Sequence, residues 1–363
     1  MTMASTEKTS SDLFDLTRQL VAIPSVSFEE REITDLLEGR LTVLPWLDTV
    51  RIGDNLIART RGNKNVRVLL GGHTDTVPAQ GNAEVKVEGD VLWGVGSADM
   101  KGGIATMLSL AETLPETAVE VTYVFYAREE VAYKDNGLLE IGLERPELLD
   151  ADLAILGEPT SGNIEAGCQG TMRFILELAG ERAHTARPWM GKNAIHRMHG
   201  VLKAINDYVP RSPVLEGCQY REALQVVNVE GGVAGNVVPD LSKLTINHRV
   251  APDRTLFDAE NAIRSFFEPY MEKGDQLTLV DAAPPAKPGL GNPLLRSMIH
   301  NHDLKVEAKL GWTDVAFFDQ RGIPAVNFGP GDATLAHTKD ERVQKSSIEG
   351  CFGALKQMLE AGI

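Results

Sequence analysis

The sequence predicts a two-domain α/β protein: a larger domain built on a mostly parallel sheet, with a smaller α+β domain inserted into it. Three observations carry this. Strand-like and helix-like apolar runs alternate to about residue 165, the βαβ rhythm of a parallel sheet covered by helices. After Gly167-Cys168-Gln169-Gly170 the order becomes strand, helix, strand, strand, helix, strand, which is the split unit of ferredoxin-like domains. Beyond a Pro/Gly-rich connector, DAAPPAKPGLGNP, the first rhythm resumes. The larger domain is therefore assigned residues 1–170 and 283–363, and the inserted domain 171–282. A chain of 363 residues is comfortable for two domains.

Each element has its own signal. The opening residues read as a short disordered tail, followed by helical apolar spacing over Ser11–Ile23 that Pro24 ends. Ser27-Phe28-Glu29-Glu30 reads as an N-cap with acids in the first turn, opening a helix to about Leu41. Val66–Gly72 is a buried strand that ends in two glycines, and Gly102–Leu114 is a helix with an apolar face. Val119–Ala127 and Asp152–Leu156 are further buried strands. In the inserted domain the strands are Thr171–Leu178, Leu224–Val229, Lys243–Val250 and Gln276–Val280, with helices over Asn193–Tyr208 and Leu256–Lys273. The closing α/β segments are Leu294–His302, Val315–Gln320, Ile323–Phe328 and a final helix, Ser346–Leu359. The chain carries no internal repeat and no low-complexity segment.

Composition excludes several function classes. The hydrophobic fraction of 43 % and charged fraction of 24 % are ordinary for a soluble globular protein. A net charge of −15 argues against binding nucleic acid or an anionic membrane. No apolar run approaches the roughly 18–20 residues of a membrane span. The start lacks the basic and apolar regions of a signal peptide. Cys168, Cys218 and Cys351 show no CxxC spacing, so neither a disulfide framework nor a thiolate metal site is expected. A reducing cytoplasm is the expected compartment.

The chemistry gathers at strand ends. His73-Thr74-Asp75 directly follows the strand that ends at Gly72, Glu129-Glu130 follows Val119–Ala127, and Glu158 follows Asp152–Leu156. Sites in open α/β sheets form at the carboxyl ends of strands. A lone His-x-Asp is ordinarily a simple hydrogen bond, and paired glutamates are ordinarily a solvated face. Here both close buried strands. Asp99 lies in Gly94-Val-Gly-Ser-Ala-Asp-Met-Lys-Gly102, and His337 in Ala336-His-Thr-Lys-Asp-Glu341. The glycines near Asp99 do not have phosphate-loop spacing, and no Lys-Ser/Thr follows them. One site that gathers imidazole and carboxylate ligands suits a metal centre.

Taken in order, these five motifs resemble the co-catalytic zinc amidohydrolases and exopeptidases, a family that includes aminoacylase, carboxypeptidase G-type enzymes, acetylornithine deacetylase and succinyl-diaminopimelate desuccinylase. The resemblance runs from the first helix past His337. It implies a zinc-exopeptidase-like catalytic domain, an inserted lid and dimerisation domain, and two Zn2+ per chain, with Co2+ able to take their place. It implies that His73 and Glu158 hold one ion, Glu130 and His337 the other, and that Asp99 bridges them. Such a bridge lets two cations sit about 3.5–4 Å apart. Glu129 is implied as general acid/base, and Asp75 as the partner that fixes the tautomer of His73. In the inserted domain, Arg182-Ala-His184-Thr-Ala-Arg-Pro188 resembles the lid motif whose histidine stabilises the oxyanion. Asn236 and Arg249 match lid residues that contact a substrate carboxylate, and Thr313 matches the loop lining the acyl pocket. The family also implies a homodimer that pairs through its lids, with His184 reaching the partner's site. Histidines 196, 199, 248, 300 and 302 have no supporting motif and are assigned to helix surfaces or the core.

The implied substrate is a small N-acyl amino acid. The phrases Leu156-Gly-Glu-Pro-Thr160, Glu165-Ala-Gly-Cys-Gln-Gly170 and Gly311-Trp-Thr-Asp314 most resemble the actinobacterial-type desuccinylases within the family, which implies N-succinyl-L,L-diaminopimelate. Where the proteobacterial type carries two arginines, this chain has Cys168 and Gln169. Arg249, Arg187, Lys192 and Arg173 are candidates for the compensating charge on a substrate with three carboxylates. Acetylornithine deacetylation stays open as the alternative, with aminoacylase or dipeptidase activity behind it. A non-catalytic relative would be expected to have lost a ligand, and none is missing.

Overall fold

The computed structural model describes residues 13–362. The expected tail and the first two residues of the opening helix lie outside them. Along the chain come α1 (residues 13–21), α2 (Arg31–Leu41), β1 (Leu47–Ile52), β2 (Asn55–Thr60), β3 (Arg67–His73), α3 (Gly102–Thr113), β4 (Glu120–Tyr126), α4 (Gly137–Glu144), β5 (Leu153–Leu156) and β6 (Ile164–Ala166). There follow β7 (Gly170–Ala179), α5 (Ala194–Asn206), β8 (Ala223–Gly231), β9 (Leu241–Val250), α6 (Leu256–Phe267) and β10 (Gln276–Ala283). The chain closes with α7 (Pro293–Asn301), β11 (Val306–Ala308), α8 (Val315–Gln320), β12 (Ala325–Asn327) and α9 (Lys345–Ala361).

The large sheet has the order β1-β2-β4-β3-β5-β12-β6-β11. Its centre is parallel: β3 pairs in parallel with β4 and β5, and β5 with β12. β1–β2, β2–β4 and β12–β6 are antiparallel. Every residue of β4 and β5 is buried, which explains why β5 is wholly apolar and β4 carries only Glu120 and Thr122 among apolar and aromatic residues. The two glycines before His73 in β3 answer to packing. A Cβ on Gly72 would lie 2.3 Å from Met100 Cε, and one on Gly71 would lie 2.9 Å from Leu156 Cδ2. The β1–β2 hairpin went unrecognised in the sequence. Its cue is a two-residue Gly53-Asp54 loop between paired Ile52 and Asn55, with Gly53 at φ 57°. A three-stranded sheet of Lys86–Glu88, Val91–Trp93 and Arg342–Gln344 lies in the same unit.

Two expectations about helix ends are corrected. Ser27 caps nothing: α2 starts at Arg31 after Glu30, because the Ser27 hydroxyl is spent on Asp75 Oδ2 at 2.7 Å. The helix expected over Leu256–Lys273 stops at Phe267, and Glu268–Tyr270 forms a 3₁₀ turn. Pro269 lacks the N–H needed to continue.

The chain divides into two compact units: Met1–Gly167 with Pro288–Glu307 and Asp314–Ile363, and Cys168–Lys287 with Ala308–Thr313. The seams therefore lie a few residues from those expected, and Ala308–Thr313 belongs with the inserted unit. Hydrogen bonds account for this. Cys168 and Ala286 exchange backbone bonds at 3.1 and 3.0 Å, and Gln169 N–H donates to Lys309 O at 3.2 Å. The Trp312 indole donates to Pro284 O at 3.1 Å.

The inserted unit holds an antiparallel sheet of order β8-β9-β7-β10. Phe174, Leu176, Leu244 and Ile246 from the strands share one core with Met198 and Val201 of α5 and Ile263 and Phe267 of α6. Both helices thus cover one face. Asn193 caps α5 by accepting the N–H groups of Ile195 and His196. Among the described residues no helix is long and apolar enough to cross a membrane. The three cysteines are buried, and none is in a disulfide.

Candidate metal centre

Parallel pairing makes β3, β4 and β5 end on the same edge of the sheet. His73 is the last residue of β3, Glu129-Glu130 follow β4, and Glu158 follows β5. The turn before α3 adds Asp99, and the segment before α9 adds His337. His73 Nε2 lies 3.2 Å from Asp99 Oδ1. On the other side, His337 Nε2 lies 3.5 Å from Asp99 Oδ2 and 2.8 Å from Glu130 Oε1. Three groups have their donor atoms within 4.8 Å of one another: His73 with Asp99 and Glu158, Asp99 with Glu130 and His337, and His73 with Glu129 and Glu130. Asp99 is common to the first two. The Asp99–Met100 peptide is cis.

The electrostatics reflect crowding of carboxylates around two imidazoles. Burial opposes ionisation of Asp99, yet His337 and His73 hold its carboxyl well below the usual range. Asp99 and Glu130 push His337 up to about 10. Burial works against His73, but Asp75, Asp99, Glu129 and Glu158 outweigh it and raise that imidazole. Burial, reinforced by Glu158, Asp314 and Glu130, raises Glu129 well above the ordinary value despite the pull of His73. A partly buried set of imidazole nitrogens and surplus carboxylate oxygens fits divalent cations of the zinc type.

Asp75 does more than was expected of it. The acceptor nearest His73 Nδ1 is the main-chain carbonyl of Asp75 at 3.0 Å; its carboxylate stands at 3.5 Å. The carboxylate also accepts the N–H groups of Glu129 and Glu130, both at 3.0 Å, together with the Ser27 hydroxyl. Glu30, 1 % exposed, accepts the N–H of Arg128 at 3.0 Å. Arg128 sits at φ 63° and His337 at φ 60°, a left-handed conformation that costs non-glycine residues about 1–3 kcal/mol.

Sequence reasoning missed three supports. They are Glu30; Glu341, which binds the backbone before Asp99; and the pair Asn136–Asp314. Asp314 is fully buried, and Asn136 Nδ2 donates to both of its oxygens at 3.1 and 2.9 Å. Burial pushes its carboxyl up to about 6.

Four expected residues belong to the inserted unit. His184 pairs with Val237 in an isolated bridge, and Thr185 N–H donates to Asn236 O at 3.0 Å, so His184 and Asn236 are neighbours. Ala186 N–H donates to His184 Nδ1 at 3.0 Å. The neutral ring must then carry its hydrogen on Nε2, which leaves a donor facing outward. Arg249 pairs with Thr171 and Ala223 across the sheet. Thr313 is buried, and its carbonyl accepts the Cys168 thiol at 3.5 Å.

The family model described as peptidase family M20/M25/M40 matches residues 69–361. The chain belongs to this family. Among M20/M25/M40 relatives, a protein of Mycobacterium tuberculosis strain H37Rv with the provisional name of succinyl-diaminopimelate desuccinylase DapE is 47 % identical over 349 residues, covering 96 % of this chain and 98 % of its own. The succinyl-diaminopimelate desuccinylase of Corynebacterium glutamicum is 42 % identical over 350 residues, covering 95 % of each. Among solved structures, a tripeptidase of Staphylococcus aureus matches with a TM-score of 0.77 at 20 % identity, covering 97 % of this chain and 98 % of that one. The YXEP protein of Bacillus subtilis, described as a dinuclear metal-binding peptidase of the M20 family, matches with a TM-score of 0.70 at 16 % identity over 97 % and 98 %. At such identities the likeness speaks for the fold.

Proposed function

We propose that this chain is a two-zinc amide hydrolase that cleaves N-succinyl-L,L-diaminopimelate to succinate and L,L-diaminopimelate. The observation that carries the reading is the pair of donor groups joined at Asp99. The choice of substrate is supported by the end-to-end likeness to proteins named as desuccinylases. His73 and Glu158 would hold one ion, Glu130 and His337 the other, with Asp99 shared. Bound zinc supplies Lewis acidity and an activated water.

The chain's own residues supply the rest. Glu129 receives a proton from the attacking water and passes it to the leaving amine as the amide C–N bond breaks. Asp75 keeps Glu129 and Glu130 in place through their N–H groups. His184 donates from Nε2 to the carbonyl oxygen as negative charge develops there. Of the four candidate cations Lys192 is paired with Glu272 and Arg173 with Asp281; of the other two, Arg249 and Arg187, Arg249 is the one proposed for a substrate carboxylate, beside Asn236 and Thr313.

A homodimer through the lids, with His184 acting in trans, completes the reading. Its support is the edge strand β8, which exposes Val227 and Val229. Three buried cysteines held as thiols fit a reducing cytoplasm. The deciding experiment compares kcat/KM of the zinc-loaded protein on N-succinyl-L,L-diaminopimelate, N-acetylornithine and a dipeptide panel. The first should exceed the others by at least about tenfold, a difference of about 1.4 kcal/mol in transition-state binding. Preference for acetylornithine or a dipeptide would assign the alternative activity.

A further inference from the structure

A buried carboxylate outside both donor groups stands behind Asp99. Glu341 is 1 % exposed. Its Oε1 accepts the N–H groups of Ala98 and Asp99, both at 3.0 Å, and its Oε2 accepts that of Gly96 at 3.1 Å. Its carbonyl also accepts the Gly94 N–H at 3.2 Å. Backbone N–H groups that converge in this way form an anion-binding nest. The chain fills the nest with its own side chain.

The loop has little freedom to rearrange around a substitute. Gly96 sits at φ 78°, and a Cβ there would lie 2.6 Å from Thr76 Cγ2. The segment carrying Glu341 is itself tied to the loop. Asn82 Nδ2 donates to Thr338 O at 3.1 Å, and Asn82 O accepts Val95 N–H at 3.0 Å. Just beyond Glu341, Arg342–Gln344 pairs with Val91–Trp93. One carboxylate therefore ties the backbone of Asp99 to a segment that begins at His337, and these two residues belong to the same donor group.

We propose that Glu341 is a positioning residue for the metal centre: by holding the N–H groups of Gly96, Ala98 and Asp99, it sets the reach of Asp99 to both donor groups and its separation from His337. This rests on the two-metal reading. Glu341 has no role in contact with substrate.

Glu341→Gln is nearly isosteric but keeps one acceptor oxygen. It can hold the Ala98 and Asp99 pair or the Gly96 N–H, and it turns an NH2 against the other. Metal-stripped protein would be titrated calorimetrically with Zn2+, and the absorption spectrum followed as Co2+ is added. Glu341→Gln should weaken both binding events by about 10–100-fold, the range seen when outer partners of ligands are lost, and alter the Co2+ spectrum. Glu222→Gln is the comparison. Glu222 is a carboxylate of the inserted unit with no side-chain exposure, held by Arg254 and the Ala251 N–H. It should lower the urea midpoint without changing metal affinity. Should Glu341→Gln fail to fold, Asn82→Ala loosens the same lacing without touching a buried charge and should shift affinity in the same direction by less. Affinities within twofold of wild type in the folded variant would reduce Glu341 to a fold-stabilising role and overturn the proposal. A wild-type chain that binds fewer than two ions would overturn the two-metal reading, and the inference with it.

Discussion

Asp75→Asn should be one of the most damaging isosteric changes in the larger unit, although Asp75 belongs to neither Asp99-centred donor group. The carboxylate is 0 % exposed and serves three donors: Glu129 N–H on Oδ1, and Glu130 N–H with the Ser27 hydroxyl on Oδ2. An asparagine offers one oxygen. Placed at the Oδ2 position it keeps two donors and points its NH2 at the Glu129 N–H. A buried donor left unmet costs about 1–3 kcal/mol, and the two remaining bonds each lose about 1 kcal/mol when the acceptor loses its charge. The sum is about 3–5 kcal/mol. Urea unfolding of metal-stripped protein measures it, and steady-state hydrolysis reports the displaced acid pair as a kcat loss of about 10–100-fold. Ser27→Ala removes one bond and should cost about 1 kcal/mol. In a double-mutant cycle the two changes should couple, because they share Oδ2. If Asp75→Asn stays within about 0.5 kcal/mol of wild type and keeps its kcat, the carboxylate does not anchor the acid pair.

Other outcomes follow from the same geometry. Glu129→Gln should keep two metals per chain and lose kcat by about 10²–10⁴-fold, whereas Glu130→Gln should lose metal first; metal analysis beside kinetics separates them. Mixing His184→Ala with Glu129→Ala protein under subunit exchange should restore one active site per mixed dimer, and no recovery after confirmed exchange would remove the trans role. His248 is a pH prediction within the inserted unit. Burial, with Arg254 and Arg211 nearby, lowers its imidazole to about 4, so protonation favours the unfolded chain. Its contribution is intact above about pH 6.5 and is lost as pH falls towards 4, about 3 kcal/mol in all. His248→Gln should flatten that part of the urea-midpoint profile, and an unchanged slope would exonerate His248.

What the sequence revealed and what it hid divide along chain separation. His73, Glu129, Glu130 and Glu158 were legible because each closes a buried strand, and strand direction alone sends them to one edge. The supports are contacts between distant segments. Ser27 meets Asp75 across 48 residues, and Glu341 meets Gly96 across 245. Nothing local marks them, so Ser27 read as a helix cap and Glu341 as the tail of the His337 motif. The same limit moved the seam between units. Ala308–Thr313 looks like catalytic-domain chain until the bonds from Gln169 to Lys309 and from Trp312 to Pro284 are known. The β1–β2 hairpin is a different case. Its Gly53-Asp54 turn is local, but the antiparallel β1–β2 pair interrupts the βαβ rhythm on either side of it.

Those hidden contacts also explain how one region tolerates so many acids. By residue type Glu30, Asp75 and Glu341 look no different from Glu129, Glu130 and Glu158. Their oxygens differ in what they meet. Glu30, Asp75 and Glu341 accept the N–H groups of Arg128, of Glu129 and Glu130, and of Gly96, Ala98 and Asp99. Charge-assisted bonds of this kind compensate a buried carboxylate without a cation. Every one of these N–H groups lies on, beside or three residues before a residue of the cluster. The backbone that carries the site therefore hydrogen-bonds one set of acids, and in the same bonds it fixes the set that faces the imidazoles. Asp99, Glu129, Glu130 and Glu158 are left with two histidines between them. That excess of buried negative charge is costly until cations arrive, which makes the outer acids part of the metal centre's design.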